Sequence, residues 1–457
     1  MGPDAEPAKR EGPPAYPCAS LPEGAAARLV GLYPQRQEGL WMQRVRVAGG
    51  SLSASQWLAL ARAAESFTPG TPLHLTTRQD LEFHNVSAAN VPSLQRALAQ
   101  EGISCLGTCG DTIRNVTVCP CSGMSSGRPD LGGLAADVLH LLQSEAGAFA
   151  LPRKFKVSFS ACERACAQPW INDLGFVARK VGEAWTFDVI GAGSLGPRPA
   201  TGVPLVEGLR PCDVLPLTVA ALRLFAEHGD RKLRGRARLR HVRERLGDSA
   251  FRELLLESFE SARKDREWPE PRLAEEETDR TASVKLRFLN GDVSPAAAEA
   301  IARLAGDIRL RVRMTNHHEI HVFGADFAAV ERRISKEPSL AGAFGARATI
   351  VSCPGTRWCS RGIADATALA QRIESELGGE LPAGACVAIS GCPNGCAHSG
   401  VADFGLVGGI STRDGARVET WTLLTGGGMG RSPALAREAA TALTTDEVIT
   451  RLRGRIG

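Results

Sequence analysis

The residues most able to do chemistry here are cysteines. SCPGTRWCS (352–360) and GCPNGCAHSG (391–400) place Cys353, Cys359, Cys392 and Cys396 in a Cys-x5-Cys and a Cys-x3-Cys pair. Four thiolates are the ligand set of a cubane 4Fe-4S cluster. Zinc also accepts four thiolates, but its pairs are usually two to four residues apart, and the five-residue gap is wider. Isolated structural thiols are the remaining reading. Gly355, Gly391 and Gly395 let the backbone wrap a bulky group, and Pro354 and Pro393 stiffen the turns. The N–H groups that remain can bond sulfides and tune a potential.

The chain has 13 cysteines in 457 residues. In a reducing compartment clustered cysteines point to metal before disulfides. Cys105, Cys109, Cys119 and Cys121 form one group and Cys162 with Cys166 another, while Cys18, Cys212 and Cys386 stand apart and read as inert buried thiols. Candidate cations are Arg78 in TTRQD, Arg114 in TIRNV, and Lys154 and Lys156. The two lysines alternate around Phe155 and so face one side of a strand. Singly, each reads as a surface charge. His84, His317, His318, His321 and His398 invite a metal reading, but alternating histidines on a strand are more often structural. The run RKLRGRARLRHVRERL (231–246) reads as a solvated helix face, or as a surface near a polyanionic cofactor or acidic partner.

The elements that must position these side chains are duplicated. SACERACAQPWINDLGFVA (160–178) aligns without a gap to SGCPNGCAHSGVADFGLVG (390–408). The two share Ser160/Ser390, Cys162/Cys392, Cys166/Cys396, Ala167/Ala397, Asp173/Asp403, Gly175/Gly405 and Val177/Val407. VRVAGGSLSA (45–54) matches LRFLNGDVSP (286–295), LTTRQDLEF (75–83) matches MTNHHEIHV (314–322) in its alternation, and Cys119–Pro120 corresponds to Cys353–Pro354. Such a repeat is too long for a solenoid and predicts two copies of one module about a pseudo-twofold axis. Within the first copy, 42–49 reads as a strand, 53–67 as a helix capped by Ser53, 73–86 as a strand pair, and 90–102 as a helix closed by glycine. That is an α+β module. In the first copy Cys-x-Cys replaces Cys-x5-Cys, Ser125 stands where the distal cysteine is expected, and Glu163-Arg164 replaces Pro-Asn, so this copy reads as binding no cluster.

Composition sets bounds on the rest. Hydrophobic residues make up 43% and charged residues 23%, as in a soluble globular protein, and the length suggests two to four domains. No apolar run approaches a membrane span. The N-terminal stretch is rich in proline and charge without an apolar core, so it reads as a tail and not a signal peptide, and a cytoplasmic location is expected. A net charge of +4 without one long basic patch gives no case for nucleic acid.

Cys-Pro-Gly-x3-Cys followed by Gly-Cys-Pro-Asn-x-Cys resembles the siroheme-dependent nitrite/sulfite reductase family. GLYPQRQEGLWMQRVRVAGG (31–50), TTRQDLEFH (76–84), GDTIRNVTVCP (110–120) and LPRKFKVSFS (151–160) extend the resemblance, in family order, over about residues 30 to 440. It implies an internally duplicated α+β fold: two ferredoxin-like half-domains plus two haem/4Fe-4S-type domains about a pseudo-twofold axis. The expected division is a disordered tail (1–30), half-domain 1 (31–104), a siroheme-contacting domain (105–266), a linker (267–280), half-domain 2 (281–340) and a 4Fe-4S/siroheme domain (341–457). The resemblance also implies siroheme and one 4Fe-4S cluster on Cys353, Cys359, Cys392 and Cys396, with Cys396 bridging to the siroheme iron. Arg78, Arg114, Lys154 and Lys156 match the family's substrate-binding cations. Arg78, Arg114, Asn115, Lys154, Asn394 and His398 are expected to contact cofactor, and GAGSLG (191–196) to be a cofactor-contacting or turn loop. The implied activity is six-electron reduction of sulfite to sulfide, with nitrite to ammonia as the alternative. Plant-type nitrite reductases tend to carry Asn where Lys156 stands, and a second lysine suits a dianion. Without a flavin or nicotinamide motif, electrons are expected from a separate protein, a ferredoxin, docking near 231–246. A precorrin-3B synthase-like monooxygenase and a non-catalytic iron–sulfur carrier are the rivals. The LPRKFK and TTRQD segments count against the first, and the four cations against the second.

Overall fold

The computed structural model describes residues 13–124, 127–274, 280–345 and 348–456. The chain opens with α1 (Gly24–Leu29), β1 (Leu32–Pro34), β2 (Leu40–Val45), α2 (Ala54–Phe67), β3 (Leu73–Leu75), β4 (Leu81–Ser87) and α3 (Val91–Gln100). It continues through β5 (Thr117–Val118), α4 (Gly132–Ser144), β6 (Val157–Ser160), β7 (Leu174–Val181), β8 (Ala184–Gly191) and β9 (Val203–Leu209). A helical layer follows: α5 (Val214–His228), α6 (Leu239–Leu246) and α7 (Asp248–Lys264). The second copy repeats the order with β10 (Ala282–Arg287), β11 (Asp292–Val293), α8 (Pro295–Ala305), β12 (Arg311–Met314), β13 (Glu319–Gly324) and α9 (Phe327–Ile334). It ends with β14 (Thr349–Ser352), α10 (Gly355–Trp358), α11 (Ala366–Leu377), β15 (Cys386–Ser390), β16 (Phe404–Arg413), β17 (Ala416–Thr425), β18 (Arg437–Leu443) and α12 (Thr445–Ile456).

Local chemistry sets the helix starts. Ser53 Oγ accepts from Gln56 N at 3.2 Å while Gln56 returns a bond to Ser53 N, a capping box that opens α2. Its counterpart Ser294 accepts from Ala297 N at 3.1 Å and opens α8, where Pro295 needs no N–H partner. These two helices pack against each other. Trp57, Leu60 and Ala64 share one buried core with Ala298, Ile301 and Leu304, so the two half-domains form one unit instead of two separate ones. The strands of that unit lie in the orders β1-β2-β4-β3-β11 and β10-β13-β12, with β11 of the second copy pairing β3 of the first.

The remaining two sheets have the same topology. β5-β6-β7-β8-β9 and β14-β15-β16-β17-β18 each pair parallel, parallel, antiparallel, antiparallel. The duplication extends to individual backbone angles. Gly49 and Asn290 have φ of 62° and 59°, Gln79 and His318 57° and 59°, Gln168 and His398 55° and 67°. Gly50 and Gly291 explain why glycine recurs after the first of these pairs. Both have positive φ, and a Cβ on Gly50 would sit 2.8 Å from Met314 O, one on Gly291 2.7 Å from Leu75 O. Each glycine therefore lets its own copy close on the strand of the other.

Three expectations need correction. The tail was expected to run to residue 30, but α1 lies within it and Cys18, Ala27, Leu29 and Val30 are buried. Tyr16 Oη donates to Ile103 O at 3.1 Å, and residues 1–12 lie outside the described residues. The described part of the 267–280 linker is fastened down: Asp130 N donates to Ala274 O at 2.7 Å, and Arg272 pairs with Asp137 on α4. Arg78 is not on a strand. Thr76 Oγ1 accepts from the N–H groups of Arg78 (3.2 Å) and Asp80 (3.0 Å), making a side-chain-stabilised turn between β3 and β4.

Candidate functional site

The four expected cluster cysteines lie on two loops at the carboxyl ends of β14 and β15. Cys353 follows Ser352, Cys359 follows α10, and Cys392 and Cys396 follow Ser390. The Gly391 N–H donates to Cys353 Sγ at 3.1 Å. Burial holds the Cys353 thiol up, at about 12, with the charge of Cys396 next in effect. Burial likewise raises Cys359 and Cys392, and both also feel Cys396. Asn394 bonds Cys392 and draws its pKa down. The four thiols therefore share one neighbourhood. Among the described residues no three His, Cys, Asp or Glu side chains converge at the spacing of ligands to one ion. A cubane takes each thiolate on a separate iron, while zinc takes all four on one ion. The glycines here have a different reason from the one expected. A Cβ on Gly391 would meet Ala364 O at 2.6 Å, and one on Gly355 Ala366 N at 2.7 Å, so the loop is packed tightly from behind by its own chain.

The first half-domain clamps this loop through contacts that no residue type marks in advance. Gln35 bridges to Cys359, Arg36 N donates to Trp358 O at 2.9 Å, Arg36 Nη2 to Gly362 O at 2.6 Å, and Gln37 Nε2 to Arg357 O at 2.7 Å. His84 stacks on Trp358 at 4.0 Å and bonds Glu82 at 3.1 Å. His321 bonds Glu319 at 3.2 Å, His317 lies 3.4 Å from Gln168, and His318 packs edge-on to His74. These histidines contact side chains of both half-domains and of the cluster loop. Thr77 Oγ1 donates to Cys396 O at 2.8 Å, joining the Arg78 turn to the last cluster cysteine.

The expected cations come together next to Cys396. Arg78 donates to Asn172 Oδ1 (2.8 Å), Asn115 O (2.7 Å) and Val157 O (2.8 Å), and burial lowers its pKa to about 9. Arg114 is held by the carbonyls of Thr108 and Gly110. Phe155 is fully buried against Phe225 and turns Lys154 and Lys156 to the other side. Burial, then Arg238 and Arg114, pull Lys154 down to about 7, with Cys396 opposing. Burial, then Arg78 and Lys154, push Lys156 well below the usual lysine range. Asn115 donates to Val47 O at 2.6 Å and Arg78 O at 3.1 Å, fixing the Arg78 turn. His398, at positive φ, is kept from charging by burial and then by Lys156.

Two observations test the fit to an anionic cofactor. No carboxylate of the described residues forms an ion pair with Arg78, Arg114, Lys154 or Lys156. Arg78 Nε, Arg114 Nε, Asn115 Oδ1 and His398 Nδ1 are buried without a partner. Buried charge without a counter-charge is costly, so the set fits an anionic occupant such as a polycarboxylate macrocycle with an oxyanion. Only Arg238 has a carboxylate, donating to Asp173 Oδ2 at 2.7 Å, with Asp173 fully buried.

Arg238 was not expected, and it revises the reading of the basic run. Residues 231–236 are exposed, but Arg238 and Arg240 are buried, and Arg243 Nη1 donates to Thr201 O at 3.1 Å and Ala192 O at 3.3 Å. The run is thus half surface and half internal scaffold. The outer cleft of about 530 Å³ is lined by Arg198, Arg236, Arg240, His241 and Arg245, and by none of the four expected cations. Leu195 in the 191–196 loop packs on the second cysteine loop near Gly395 and Gly400. Cys105 belongs to the half-domain core beside Tyr16 and not with Cys119, and Cys212 is exposed instead of buried.

Comparison with known proteins agrees with this geometry. The model of the nitrite and sulphite reductase 4Fe-4S domain matches residues 109–262 and 345–454, the two repeated sheets, and that of the nitrite/sulfite reductase ferredoxin-like half domain matches 33–101. A ferredoxin–nitrite reductase of Synechococcus elongatus is 27% identical, covering 91% of this chain and 85% of that protein. An assimilatory ferredoxin-dependent nitrite reductase of Haloferax mediterranei is 29% identical (92% and 79%), and a ferredoxin sulfite reductase of Mycobacterium tuberculosis 25% (92% and 82%). The solved structure of the Mycobacterium tuberculosis NirA protein superposes with a TM-score of 0.79 at 24% identity, covering 93% of this chain and 85% of that one, and shares the fold. No helix among the described residues is long and apolar enough to cross a membrane.

Proposed function

The chain belongs to the nitrite and sulphite reductase family, and from that membership we propose that it reduces sulfite to sulfide at a siroheme coupled to a 4Fe-4S cluster. The single observation that carries the reading is the group of cations beside the cluster loop, Arg78, Arg114, Lys154 and Lys156, none of them ion-paired to a carboxylate of the described residues. Cys353, Cys359, Cys392 and Cys396 would hold the cubane, with Cys396 shared with the siroheme iron. Arg114 and Lys154 would meet the macrocycle's carboxylates or the substrate. When bound, the pair of cofactors supplies electrons one at a time to the anion.

The protein's own groups bind the anion and move protons. Arg78 and Arg114 present guanidinium N–H groups anchored by backbone carbonyls, so an oxyanion meets donors that need not reorganise. Lys154, at about 7, is populated in both forms at neutral pH and can pass a proton from Nζ, the condition for a general acid. Lys156 adds a second positive charge when protonated, which favours dianionic sulfite over nitrite. Nitrite is the second reading, favoured by the relatives whose names specify it. A ferredoxin, named in both kinds of relative, is the proposed donor.

Absorption spectra of protein purified with siroheme supply test the cofactors, and turnover with reduced methyl viologen tests the substrate. Tetrapyrrole bands with a higher kcat/KM for sulfite are expected. Protein without tetrapyrrole, or without turnover of either anion, overturns the proposal.

A further inference from the structure

The first copy of the cysteine loop is built as closely as the second. Cys119 Sγ accepts the Ala161 N–H at 3.1 Å, as Cys353 Sγ accepts that of Gly391 at 3.1 Å. Cys162 and Cys166 occupy the register of Cys392 and Cys396. In both copies the serine before the loop takes an N–H from the alanine after it at 3.2 Å: Ser160 from Ala167, and Ser390 from Ala397. Cys121 is the departure. It has no counterpart at Cys359, yet its side chain comes to the same cluster by a shorter route. Cys121 Sγ lies 3.7 Å from Cys119 Sγ, and the thiols of Cys162 and Cys166 also face it within side-chain reach. Four thiols from two loops therefore meet at the position that pseudo-symmetry assigns to a metal centre.

We propose that Cys119, Cys121, Cys162 and Cys166 form a second, structural metal site that takes one zinc-class divalent ion as a tetrathiolate. The spacing selects the ion. Zn–S bonds of about 2.3 Å at the tetrahedral angle put ligand sulfurs about 3.8 Å apart, the separation of Cys119 and Cys121. A cubane takes its four thiolates at separate corners. Among the described residues the Cys119–Cys121 edge lies at single-ion spacing. Cys162 and Cys166 are partly exposed on the 161–168 loop, and side-chain rotation brings them in. On binding, four S–H bonds break, four Zn–S bonds form, and four protons leave to solvent, with no change of oxidation state. Trp170 Nε1 donates to Gly430 O of the other copy at 2.8 Å and Glu163 pairs with that copy's Arg431, so the loop that binds zinc also fastens the two copies together. The site goes beyond the proposed reduction and uses none of its residues.

Zinc and iron per chain in purified holoenzyme test this. The wild type is expected to hold about one zinc besides its cluster and haem iron, and Cys121→Ser and Cys166→Ser to lose it with iron and tetrapyrrole absorbance unchanged. Thiol titration of the wild type is expected to expose four more cysteines after chelation. No zinc above background, zinc unchanged in the variants, or an unchanged thiol count overturns the proposal. So does a loss of about four irons per chain in the variants, which means a second cubane. None of these outcomes depends on sulfite or nitrite turnover, so the two readings fail separately.

Discussion

Asp173 is a carboxylate ion-paired within the cation group, and the second copy carries its own control. Asp173 Oδ2 accepts from Arg238 Nη2 at 2.7 Å and from Lys156 N at 2.8 Å, and the residue is fully buried. Asp403, its counterpart, accepts from Cys386 N at 2.8 Å, but is exposed and has no arginine partner among the described residues. Asp173→Asn preserves shape and can keep the bond to Lys156 N, so it removes mainly charge. Arg238 is then left buried beside Lys154, Lys156 and Arg78 with nothing to offset it. Breaking a buried pair in this way costs about 3–5 kcal/mol. Asp403→Asn should cost about 1 kcal/mol or less, the value of an exposed neutral hydrogen bond. Urea unfolding of both variants in low-phosphate buffer checks the difference, and an added oxyanion should recover part of the Asp173→Asn loss by supplying the missing charge. Two variants within about 1 kcal/mol of each other would refute the view that Asp173 offsets an otherwise uncompensated positive cluster.

Other consequences are as direct. Lys154 is charged below about 7 and neutral above it, so affinity for nitrite, whose charge is constant in this range, should hold below that pH and fall as pH rises through it; steady-state KM against pH reads this, and Lys154→Arg should flatten the fall. Lys156→Asn should lower kcat/KM for sulfite about 10- to 100-fold, the worth of one charge-assisted bond, with a smaller loss for nitrite; paired methyl-viologen assays compare them. Gly50→Ala puts a Cβ 2.8 Å from Met314 O at a φ of 73°, and a loss of about 2–3 kcal/mol in urea unfolding is expected.

Much of this architecture was readable because it is local or repeated. The Ser53 and Ser294 caps, the α2 and α3 helices, and the aligned cysteine loops depend on spacing within a few residues, and spacing is what a sequence displays. What was missed depends on partners far along the chain. Arg238 looked solvated because a short basic helix shows no acceptor in sequence, and its partner Asp173 lies 65 positions away. Arg36 and Gln37 clamp the cluster loop through backbone carbonyls more than 300 positions on, and every residue has such a carbonyl, so no residue type marks the contact. The Arg78 turn was mistaken for strand because Thr76 and Thr77 have strand propensity. Here the hydroxyl of Thr76 caps the turn instead.

The duplicated backbone also explains how one scaffold keeps opposite chemistries apart. Lys156 and Cys386 donate equivalent backbone N–H groups to Asp173 and Asp403, and Gln168 and His398 share a left-handed φ. The backbone is nearly symmetric while the side chains are not: cations gather on the first copy's turns and loops, and the proposed cubane thiols lie on the second's loops. The region between them sees positive charge from one copy and thiol from the other, with Cys396 opposing the fall of Lys154. Had the cations and the four cubane thiols shared one copy, the buried positive charge would have bound the thiolates directly and lost its hold on an external anion. Dividing them between copies leaves the cations without a carboxylate ion pair among the described residues, open to an external anion.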